Sequence, residues 1–429
     1  MSKDRRIKMV EKFLIEGEAK LEGKVEVFGG KNSAGAVLAG VLLSKEPSII
    51  SNLPLCLDVL NQIKILEEMG VKVEWLGKRT VKIDPKEINP EKLPFETFEK
   101  MRVSVLLIPS LLVRFRKIKV PRPGGDKIGL RPITTHLRMF QQFEINFKEK
   151  DGFYFFELNE KKLIGKRVIL DEFSVTATEN AIMMAVLARG KSKIEIAAAE
   201  PQVQDLGNLL IKMGAKIKGL GSHTIEIEGV KKLSGAEFTL SPDWAEAGTF
   251  LVAFAITKGK GEILNVKEEH LTFFLKKMRD IGVNFRVKKN KISVFPSKKF
   301  NPTKIQILPY PGFPTDLQPQ TSVLLLMTKG KSLIHDPLYE GRFTHLQELR
   351  KMGADIEIVD PHRALIFGGV KLFGAKVQAP DIRAGVSLVL AGLIAKGKTI
   401  VENVYQIDRG YEQFEEKLKK LGAKIKRIS

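Results

Sequence analysis

Apolar and polar positions along the chain repeat one pattern six times. In each repeat an amphipathic helix is predicted to end in a short turn, and an alternating strand is predicted to follow it, as in residues 65–73. The turns recur about every 70 residues. They contain Gly70, Glu144, Gly214, Gly282, Gly353 and Gly422. Because glycine directly after a helix favours a left-handed cap, the pattern predicts six similar αβ units.

Each unit also contains a second, more apolar helix, which we expect to be buried. These helices are predicted at residues 33–43, 103–112, 180–187, 247–256, 322–327 and 386–394. Most of them precede a basic turn with glycine and a further strand. A solenoid repeat is shorter, at roughly 20 to 50 residues. The pattern therefore favours six compact units, grouped three and three, over a solenoid.

The length and composition narrow the class of protein. A chain of 429 residues exceeds one ordinary hydrophobic core, so two or more domains are expected. With Cys56 as the single cysteine and no metal-ligand spacing among the histidines, neither a disulfide nor a metal site is predicted. The apolar runs are too short to span a bilayer, and the first residues do not resemble a signal peptide. These features predict a cytoplasmic protein without a membrane partner.

The net charge of +21 would suit a polyanionic partner such as nucleic acid. The basic residues are spread along the chain, their clusters are short, and no nucleic-acid-binding signature accompanies them. We therefore predict no nucleic-acid partner. A basic, non-enzymatic nucleic-acid-binding repeat protein stays as an alternative, which salt-dependent DNA binding would support.

The glycine-rich segment 123–132 is the strongest candidate for chemistry. It places Asp126 between glycines and the cations Lys127 and Arg131. Glycines allow close approach to a ligand, the cations suit an anion, and a carboxyl group can transfer a proton. The alternative interpretation is a basic surface hairpin whose turn requires glycine.

Further polar residues lie directly before the apolar helices, where free amides and the helix dipole favour anions. Lys31 and Asn32 precede the first such helix, and Arg409 precedes the last helix of the chain. The corresponding residues of the other units are Arg102, Ser174, Asp243, Asp316, Asp381 and Arg383. Helix capping alone would also explain these positions.

Four motifs in this order make the chain similar to the UDP-N-acetylglucosamine 1-carboxyvinyltransferases, the enolpyruvyl transferases of peptidoglycan synthesis. They are residues 30–32, 123–132, 313–316 and 408–412, and the resemblance covers nearly the whole chain. It implies an α/β fold, a two-lobed inside-out α/β barrel built from six βαβαββ-type repeats. One lobe would comprise residues 31–240 with the acid-bearing loop, and the other residues 1–30 plus 241–429.

The resemblance implies a reaction and two substrates. Enolpyruvyl would pass from phosphoenolpyruvate to the 3-hydroxyl of UDP-N-acetylglucosamine through a tetrahedral intermediate, with release of phosphate and without a metal or organic cofactor. Asp126 would be the general acid on a mobile loop, at a position where most members have cysteine. An aspartate there must be kept protonated by burial when the loop closes, and we expect only weak inhibition by alkylating epoxides such as fosfomycin.

The resemblance also implies roles for individual residues. Lys31, Arg131 and Arg409 would bind the phosphate or carboxylate of phosphoenolpyruvate. Asp316 would either take the proton from the attacking hydroxyl or position that hydroxyl. Asn32 and Leu338 would border the sugar. The UDP moiety would face Arg102, Arg131, Pro132, Ile133, Thr134, Thr135, Ser174 and Val175, with His136 near the diphosphate, and the closed site would be shaped by Arg342, Asp381 and Arg383.

Departures from the family pattern concentrate on the nucleotide side. Glu172 stands where lysine is common, Thr134 where aspartate is usual, and Leu57 where a basic residue is frequent. A negative charge is unfavourable beside a diphosphate, so Glu172 is expected to point away or the nucleotide to bind differently. The related 3-phosphoshikimate 1-carboxyvinyltransferases are the alternative enzyme, but they lack the long loop around Asp126.

Overall fold

Short strands alternate with helices along the whole protein, whose computed structural model describes residues 11–126, 128–158 and 163–429. The strands are β1 (Lys12–Glu16), β2 (Glu22–Glu26), β3 (Ser48–Ser51), β4 (Lys72–Gly77), β5 (Thr80–Asp84), β6 (Lys117–Pro121), β7 (Ile145–Lys150), β8 (Phe153–Leu158), β9 (Arg167–Ile169), β10 (Lys191–Glu195), β11 (Lys216–Lys218), β12 (Thr224–Glu228), β13 (Glu237–Thr239), β14 (Lys260–Leu264), β15 (Asn284–Lys288), β16 (Lys291–Phe295), β17 (Lys304–Gln306), β18 (Gly330–His335), β19 (Asp355–Asp360), β20 (Arg363–Gly368), β21 (Lys376–Gln378), β22 (Lys398–Glu402) and β23 (Lys424–Ile428).

The helices fall between these strands. They are α1 (Lys31–Gly40), α2 (Leu57–Glu68), α3 (Phe95–Glu99), α4 (Leu107–Phe115), α5 (Thr134–Gln142), α6 (Val175–Ala185), α7 (Pro201–Lys212), α8 (Trp244–Ile256), α9 (Thr272–Ile281), α10 (Gln318–Leu326), α11 (Thr344–Lys351), α12 (Ile382–Ile394), α13 (Tyr405–Asp408) and α14 (Phe414–Lys420). Short 3-10 turns include Arg102–Leu106 before α4 and Thr315–Leu317 before α10.

Within the described ranges the strands form six sheets. Five have four strands, in the orders β21-β22-β1-β23, β11-β12-β10-β9, β13-β3-β5-β4, β15-β16-β14-β2 and β17-β18-β20-β19, and one has three, in the order β6-β8-β7. Each four-stranded sheet contains one parallel pair at an edge, such as β13 with β3 or β2 with β14. The N-terminal strands β1 and β2 therefore pair with strands from the C-terminal half of the chain.

Two separate hydrophobic cores give the molecule two lobes. One core contains apolar side chains from Ala34 to Leu240. The other combines residues between Phe13 and Val27 with residues between Ala247 and Ile425. Burial of this apolar surface is the main force that stabilises each lobe. The limits of the lobes at residues 30 and 240 remain a proposal, which this division of the cores supports.

The most apolar helices lie at the centre of the lobes. In α8 and α12 nearly every residue is buried, whereas strands such as β5 and β12 bury only alternate residues. A strand with this period presents one face to a core and one face to solvent. The fold is thus a two-lobed α/β structure with its buried helices inside and its half-exposed sheets outside.

Several inner helices begin earlier than the apolar runs predicted. The helix predicted at 180–187 begins at Val175, and the one predicted at 386–394 begins at Ile382. Polar N-caps explain the difference, because Ser174 and Asp381 accept hydrogen bonds from main-chain N–H groups of the first turn. An apolar run detects the buried middle of such a helix and misses its polar first turn.

The left-handed conformation expected after the amphipathic helices is present at the predicted glycines, for example at Gly70 with φ 89°. Glu144 adopts the same conformation with φ 60° although it carries a side chain. That conformation is normally unfavourable for a residue with a Cβ atom. The left-handed turn therefore forms in this unit even without glycine.

Of the helices described, none is both long and apolar enough to cross a membrane.

Candidate active site

Lys31 and Arg409, which are 378 positions apart by their residue numbers, meet on one carboxylate. Lys31 is the first residue of α1, and its Nζ lies 3.1 Å from Oδ2 of Asp58 in the first turn of α2. Arg409 follows α13 in the other lobe, and its Nε lies 3.0 Å from Oδ1 of Asp58. All three side chains are largely shielded from solvent. The structure thus brings two predicted anion-binding cations together at the boundary between the lobes.

Asp126 joins the same group through Arg409. Nη1 of Arg409 donates to Asp126 Oδ1 and, over 2.9 Å, to Oε1 of Gln406. Burial opposes the charge of Arg409, but the carboxylates of Asp126 and Asp58 raise its pKa above the ordinary value. The predicted acid and a predicted anion-binding arginine are therefore in direct contact.

The loop that carries Asp126 touches both lobes. On one side it packs so closely that a Cβ atom at Gly124 would overlap the carbonyl oxygen of Glu99. On the other side, the main-chain N–H of Leu130 donates to Oε1 of Glu340 over 2.6 Å, and the N–H of Gly341 donates to the carbonyl of Ile128 over 3.1 Å. The loop is thus closed across the boundary. Lys127, the other cation noted in this loop, lies outside the described residues.

Asp316 is held between two arginines. Its Oδ1 lies 3.2 Å from Nη2 of Arg342, and its Oδ2 lies 3.1 Å from Nε of Arg383. Burial opposes ionisation, but Arg383 and Arg342 lower the pKa of the Asp316 carboxyl below its usual value. Asp316 is therefore ionised at neutral pH and can accept a hydrogen bond from a hydroxyl group.

Asp381 completes this second cluster. Its Oδ1 accepts hydrogen bonds from the main-chain N–H groups of Arg383 at 2.9 Å and Ala384 at 3.0 Å, and it lies 3.6 Å from Nη1 of Arg342. Burial raises the pKa of Asp381, whereas the charge of Arg342 opposes that change. Asp381 caps α12 and so fixes the position from which Arg383 reaches Asp316.

A small crevice between the lobes is lined both by Arg383 and by residues of the first motif. Its lining includes Gly30, Asn32, Ser33, Pro201, Gln202, Pro242, Asp243, Trp244 and Arg383. Asn32, predicted to border a sugar, and Arg383 thus face the same space. Nη1 of Arg383 is buried and has no hydrogen-bond partner among the described residues. A buried donor of this kind is normally satisfied by an acceptor such as an ordered water or a bound group.

Arg102 and Arg131, which the resemblance predicts to face the nucleotide, lie next to each other. Arg102 donates from Nη1 to the carbonyl of Arg131 over 2.6 Å and from Nη2 to the carbonyl of Pro132 over 2.9 Å. It therefore fixes the main chain that follows the acid-bearing loop. Arg131 lies beside Tyr339 of the other lobe, with its Cζ 5.7 Å from the ring centroid.

The other residues predicted to face the nucleotide lie in or directly before the first turns of α5 and α6. Ile133 is buried and Thr134 is exposed at the start of α5, whereas Thr135 donates from Oγ1 to Oε1 of Glu172 over 3.0 Å. Ser174 caps α6, of which Val175 is the first residue. The carboxylate of Glu172 thus stays close to this side, bound to a neutral hydroxyl.

His136 and Leu338 are two further residues that the resemblance places at the site. Burial, aided by the charges of Arg102 and Arg131, lowers the pKa of His136 to about 3, so its imidazole is neutral at pH 7 and adds no positive charge. Leu338 is exposed, and its main-chain N–H donates to Oδ1 of Asp336 over 3.1 Å.

Across the described ranges, no group of three or more His, Cys, Asp and Glu side chains has an arrangement that could hold a metal ion.

Sequence reasoning missed Asp58 and Glu340. Asp58 is an acidic residue in the first turn of an amphipathic helix, a position that the helix dipole favours without any site. Glu340 is an exposed carboxylate four residues before the start of α11, which is an ordinary surface position. The one available signal was the closeness of Glu340 to Leu338 and Arg342, which the resemblance had already placed at the site.

Comparisons with known proteins agree with the geometry. The sequence model of the family described as EPSP synthase (3-phosphoshikimate 1-carboxyvinyltransferase) matches residues 15–418. A UDP-N-acetylglucosamine 1-carboxyvinyltransferase 1 from Caldanaerobacter subterraneus subsp. tengcongensis is 44% identical over 420 residues, which cover 98% of this chain and 100% of the relative. The UDP-N-acetylglucosamine 1-carboxyvinyltransferase of Hydrogenovibrio crunogenus is 42% identical over 421 residues, with 98% and 100% covered.

Solved structures show the same fold. The enolpyruvyl transferase NikO from Streptomyces tendae superposes with a TM-score of 0.89 at 23% identity and covers 98% of this chain and 99% of its own. An EPSP synthase from Acinetobacter baumannii superposes with a TM-score of 0.75 at 17% identity, with 98% and 100% covered. At these identities the likeness concerns the fold.

Proposed function

We propose that the chain, which belongs to the EPSP synthase family of enolpyruvyl transferases, transfers enolpyruvyl from phosphoenolpyruvate to the 3-hydroxyl of UDP-N-acetylglucosamine and releases phosphate. Relatives that are 42 to 44% identical over nearly the whole chain carry the name of that activity. The observation that carries the proposal at the site is the convergence of Lys31, Arg409 and Asp126 at the boundary between the lobes.

The donor would bind through its negative groups. Lys31 and Arg409 supply positive charge in a largely shielded site, where charge-assisted hydrogen bonds to phosphate are strong. Arg131 would add a third cation from the segment after the acid-bearing loop. Closure of the loop would keep these cations and the donor away from water, which strengthens every electrostatic contact between them.

Asp126 would protonate the methylene carbon of phosphoenolpyruvate. As it does so, the acceptor oxygen forms a bond to the neighbouring carbon, which yields the tetrahedral intermediate. The Asp126 carboxylate left by this step would then take back a proton from the new methyl group as the bond to the phosphate oxygen breaks, which gives the enolpyruvyl product and phosphate and restores the Asp126 acid. In the closed loop Asp126 contacts Arg409, and the phosphate of the donor would compete for that guanidinium.

Asp316 would face the acceptor hydroxyl. Its two arginines keep the carboxylate ionised, which makes it a good hydrogen-bond acceptor and a weak base. We propose that it positions the hydroxyl and accepts its proton as the carbon–oxygen bond forms, when the hydroxyl becomes strongly acidic. Asn32 and Leu338 would border the sugar, and the buried, unpartnered Nη1 of Arg383 would find an acceptor on it.

The nucleotide would lie along residues 131–135 and the first turn of α6. Arg102 would act there mainly through the main chain that it fixes. Glu172 accepts a hydrogen bond from Thr135, so binding of a diphosphate would require this pair to separate or the nucleotide to pass beside it. The same proposal places the enzyme in the cytoplasm, at the first committed step of peptidoglycan synthesis, and therefore in cell wall biogenesis, cell shape and cell division.

Release of phosphate from phosphoenolpyruvate, with UDP-N-acetylglucosamine and shikimate 3-phosphate supplied in separate reactions, tests the proposal. We expect phosphate release in the reaction that contains UDP-N-acetylglucosamine and none in the reaction that contains shikimate 3-phosphate. Release only with shikimate 3-phosphate would assign the chain to the related reaction. Release with neither acceptor, together with salt-dependent binding of DNA, would favour the non-enzymatic alternative.

A further inference from the structure

Asp58 makes an unusually complete set of contacts with the two donor-binding cations. Its Oδ1 accepts from Nε of Arg409 at 3.0 Å, and its Oδ2 accepts from Nη2 of Arg409 at 3.3 Å and from Nζ of Lys31 at 3.1 Å. The main-chain N–H of Asp58 also donates to the carbonyl of Arg409 over 3.2 Å. One residue thus fixes both the backbone and the side chain of Arg409.

These contacts determine where Arg409 can offer hydrogen bonds. The guanidinium is planar, so binding along its Nε and Nη2 edge sets the direction of Nη1. Nη1 points to Asp126 and Gln406, which is the side where the acid-bearing loop closes. Asp58 therefore sets the direction of Nη1 of Arg409, the group proposed to meet the donor.

Charge balance gives Asp58 a second effect. Lys31 and Arg409 repel one another when they lie close together in a shielded site. A carboxylate between them offsets this repulsion and leaves the three side chains with one net positive charge for an anion. The negative charge of Asp58 is itself favoured in the first turn of the 12-residue helix α2.

We propose that Asp58 is a positioning residue for the donor, and that it acts by holding Lys31 and Arg409 in the orientation that binds phosphate. This inference rests on the proposed function. Asp58 is not needed merely to join the lobes, because Glu412 binds Arg79 and the main-chain N–H of Leu55 across the same boundary. Loss of Asp58 should therefore affect donor binding beyond its effect on stability.

Asp58→Asn tests the role, since it keeps the shape of the side chain and removes its charge. We expect the KM for phosphoenolpyruvate to rise by about tenfold or more, as for loss of a charge-assisted hydrogen bond, whereas the KM for UDP-N-acetylglucosamine stays within about twofold. Calorimetric titration with inorganic phosphate, which needs no turnover, should show affinity reduced by about tenfold or more. Asp58→Glu, which retains the charge, should lie between wild type and Asp58→Asn in both quantities.

Glu412→Gln is the matched control, because it removes a different carboxylate that joins the lobes. We expect it to lower the melting temperature and to leave the KM for phosphoenolpyruvate and the phosphate affinity unchanged. Wild-type values of both quantities in Asp58→Asn would overturn the positioning role, even with a lower melting temperature. If Asp58→Asn does not fold, wild-type values of both in Asp58→Glu would overturn it.

The phosphate titration also separates the two proposals. A wild-type protein that transfers no enolpyruvyl, but whose phosphate affinity falls in Asp58→Asn, would contradict the proposed reaction and support the role of Asp58. A wild-type protein that transfers enolpyruvyl, with donor binding insensitive to Asp58, would contradict only the positioning role.

Discussion

Arg79 and Glu412 form a two-pronged ion pair that joins the two lobes. Nη1 and Nη2 of Arg79 each lie 2.7 Å from an oxygen of Glu412. Arg79 lies in the turn between β4 and β5, and its Cζ also lies 3.4 Å from the ring centroid of Phe28. Glu412 is three residues from Arg409 in the sequence, but its carboxylate binds Arg79 and the main-chain N–H of Leu55, so the pair joins the lobes beside the Arg409 site without contacting the Arg409 side chain.

Replacement of Arg79 by methionine should destabilise the protein in a pH-dependent manner. Burial opposes the charge of Glu412, but Arg79 and the N–H of Leu55 lower the pKa of its carboxyl below the usual 4.5. A carboxyl group whose pKa is lowered in the folded state stabilises the protein above pH 4.5, and this stabilisation is lost as the pH falls. We expect Arg79→Met to cost about 2 to 3 kcal/mol at pH 7 and less at pH 4, as measured by urea unfolding. Equal costs at both pH values would contradict this explanation.

Removal of Glu340 should loosen the acid-bearing loop. Glu340 accepts the main-chain N–H of Leu130, so Glu340→Ala should increase the time that the loop spends open. The change can be measured in an Asp126→Cys background by the rate at which a maleimide modifies the introduced thiol. The native Cys56 does not interfere, because it is 2% exposed.

We expect Glu340→Ala to raise that labelling rate by about threefold or more. Glu357→Ala, which removes an exposed carboxylate on β19 of the same lobe, should leave the rate unchanged. Equal rates in the Glu340 and Glu357 variants would mean that the contact does not hold the loop closed.

His345 should make the folded protein sensitive to acid. Its Nε2 lies 3.2 Å from Oγ of Ser322, its Nδ1 lies 3.2 Å from the carbonyl of Arg342, and burial lowers its pKa to about 3. The unfolded chain binds a proton here below about pH 6.5, whereas the folded protein does not until about pH 3. Stability is therefore lost as the pH falls through this window.

His345→Gln should flatten the pH dependence of stability between pH 6 and 4. Removal of one such proton changes the slope of the unfolding free energy by up to about 1.4 kcal/mol per pH unit. Urea unfolding at several pH values gives that slope for both proteins. Parallel curves for wild type and His345→Gln would show that His345 does not titrate on unfolding.

Epoxide sensitivity should depend on residue 126 alone. Burial raises the pKa of the Cys56 thiol to about 12, so it is protonated and unreactive at neutral pH. We expect fosfomycin to inhibit the wild-type enzyme weakly and reversibly, and to inactivate Asp126→Cys in a time-dependent manner. Stoichiometric, irreversible inactivation of the wild type at low fosfomycin concentration would contradict this prediction.

The sequence was most informative where local rules decide the structure. Periodicity located the inner and outer helices, and Asp243 caps α8 through the N–H groups of Ala245 and Glu246, as the capping interpretation expected. Those features depend on neighbouring residues. The contact of Lys31 with the group around Arg409 depends on the packing of two lobes, which no local pattern encodes, and only the ordered motifs of the family pointed to it.

Asp58 and Glu340, which the sequence did not reveal, also have partners that are far away in the sequence. Asp58 and Glu340 carry ordinary signals for a helix start and a surface position. Their importance comes from partners in the opposite lobe, Arg409 and the N–H of Leu130. Charge type alone could not reveal those partners, because the chain contains 50 acidic residues and most are explained by solvent exposure or local pairing.

Turnover by Asp126→Asn tests the role of the loop carboxylate most directly. The amide has nearly the same shape but cannot donate a proton as an acid, so phosphate release from phosphoenolpyruvate with UDP-N-acetylglucosamine should fall by at least about a thousandfold, while Asp126→Cys retains part of the activity. Full activity in Asp126→Asn would contradict proton transfer by Asp126.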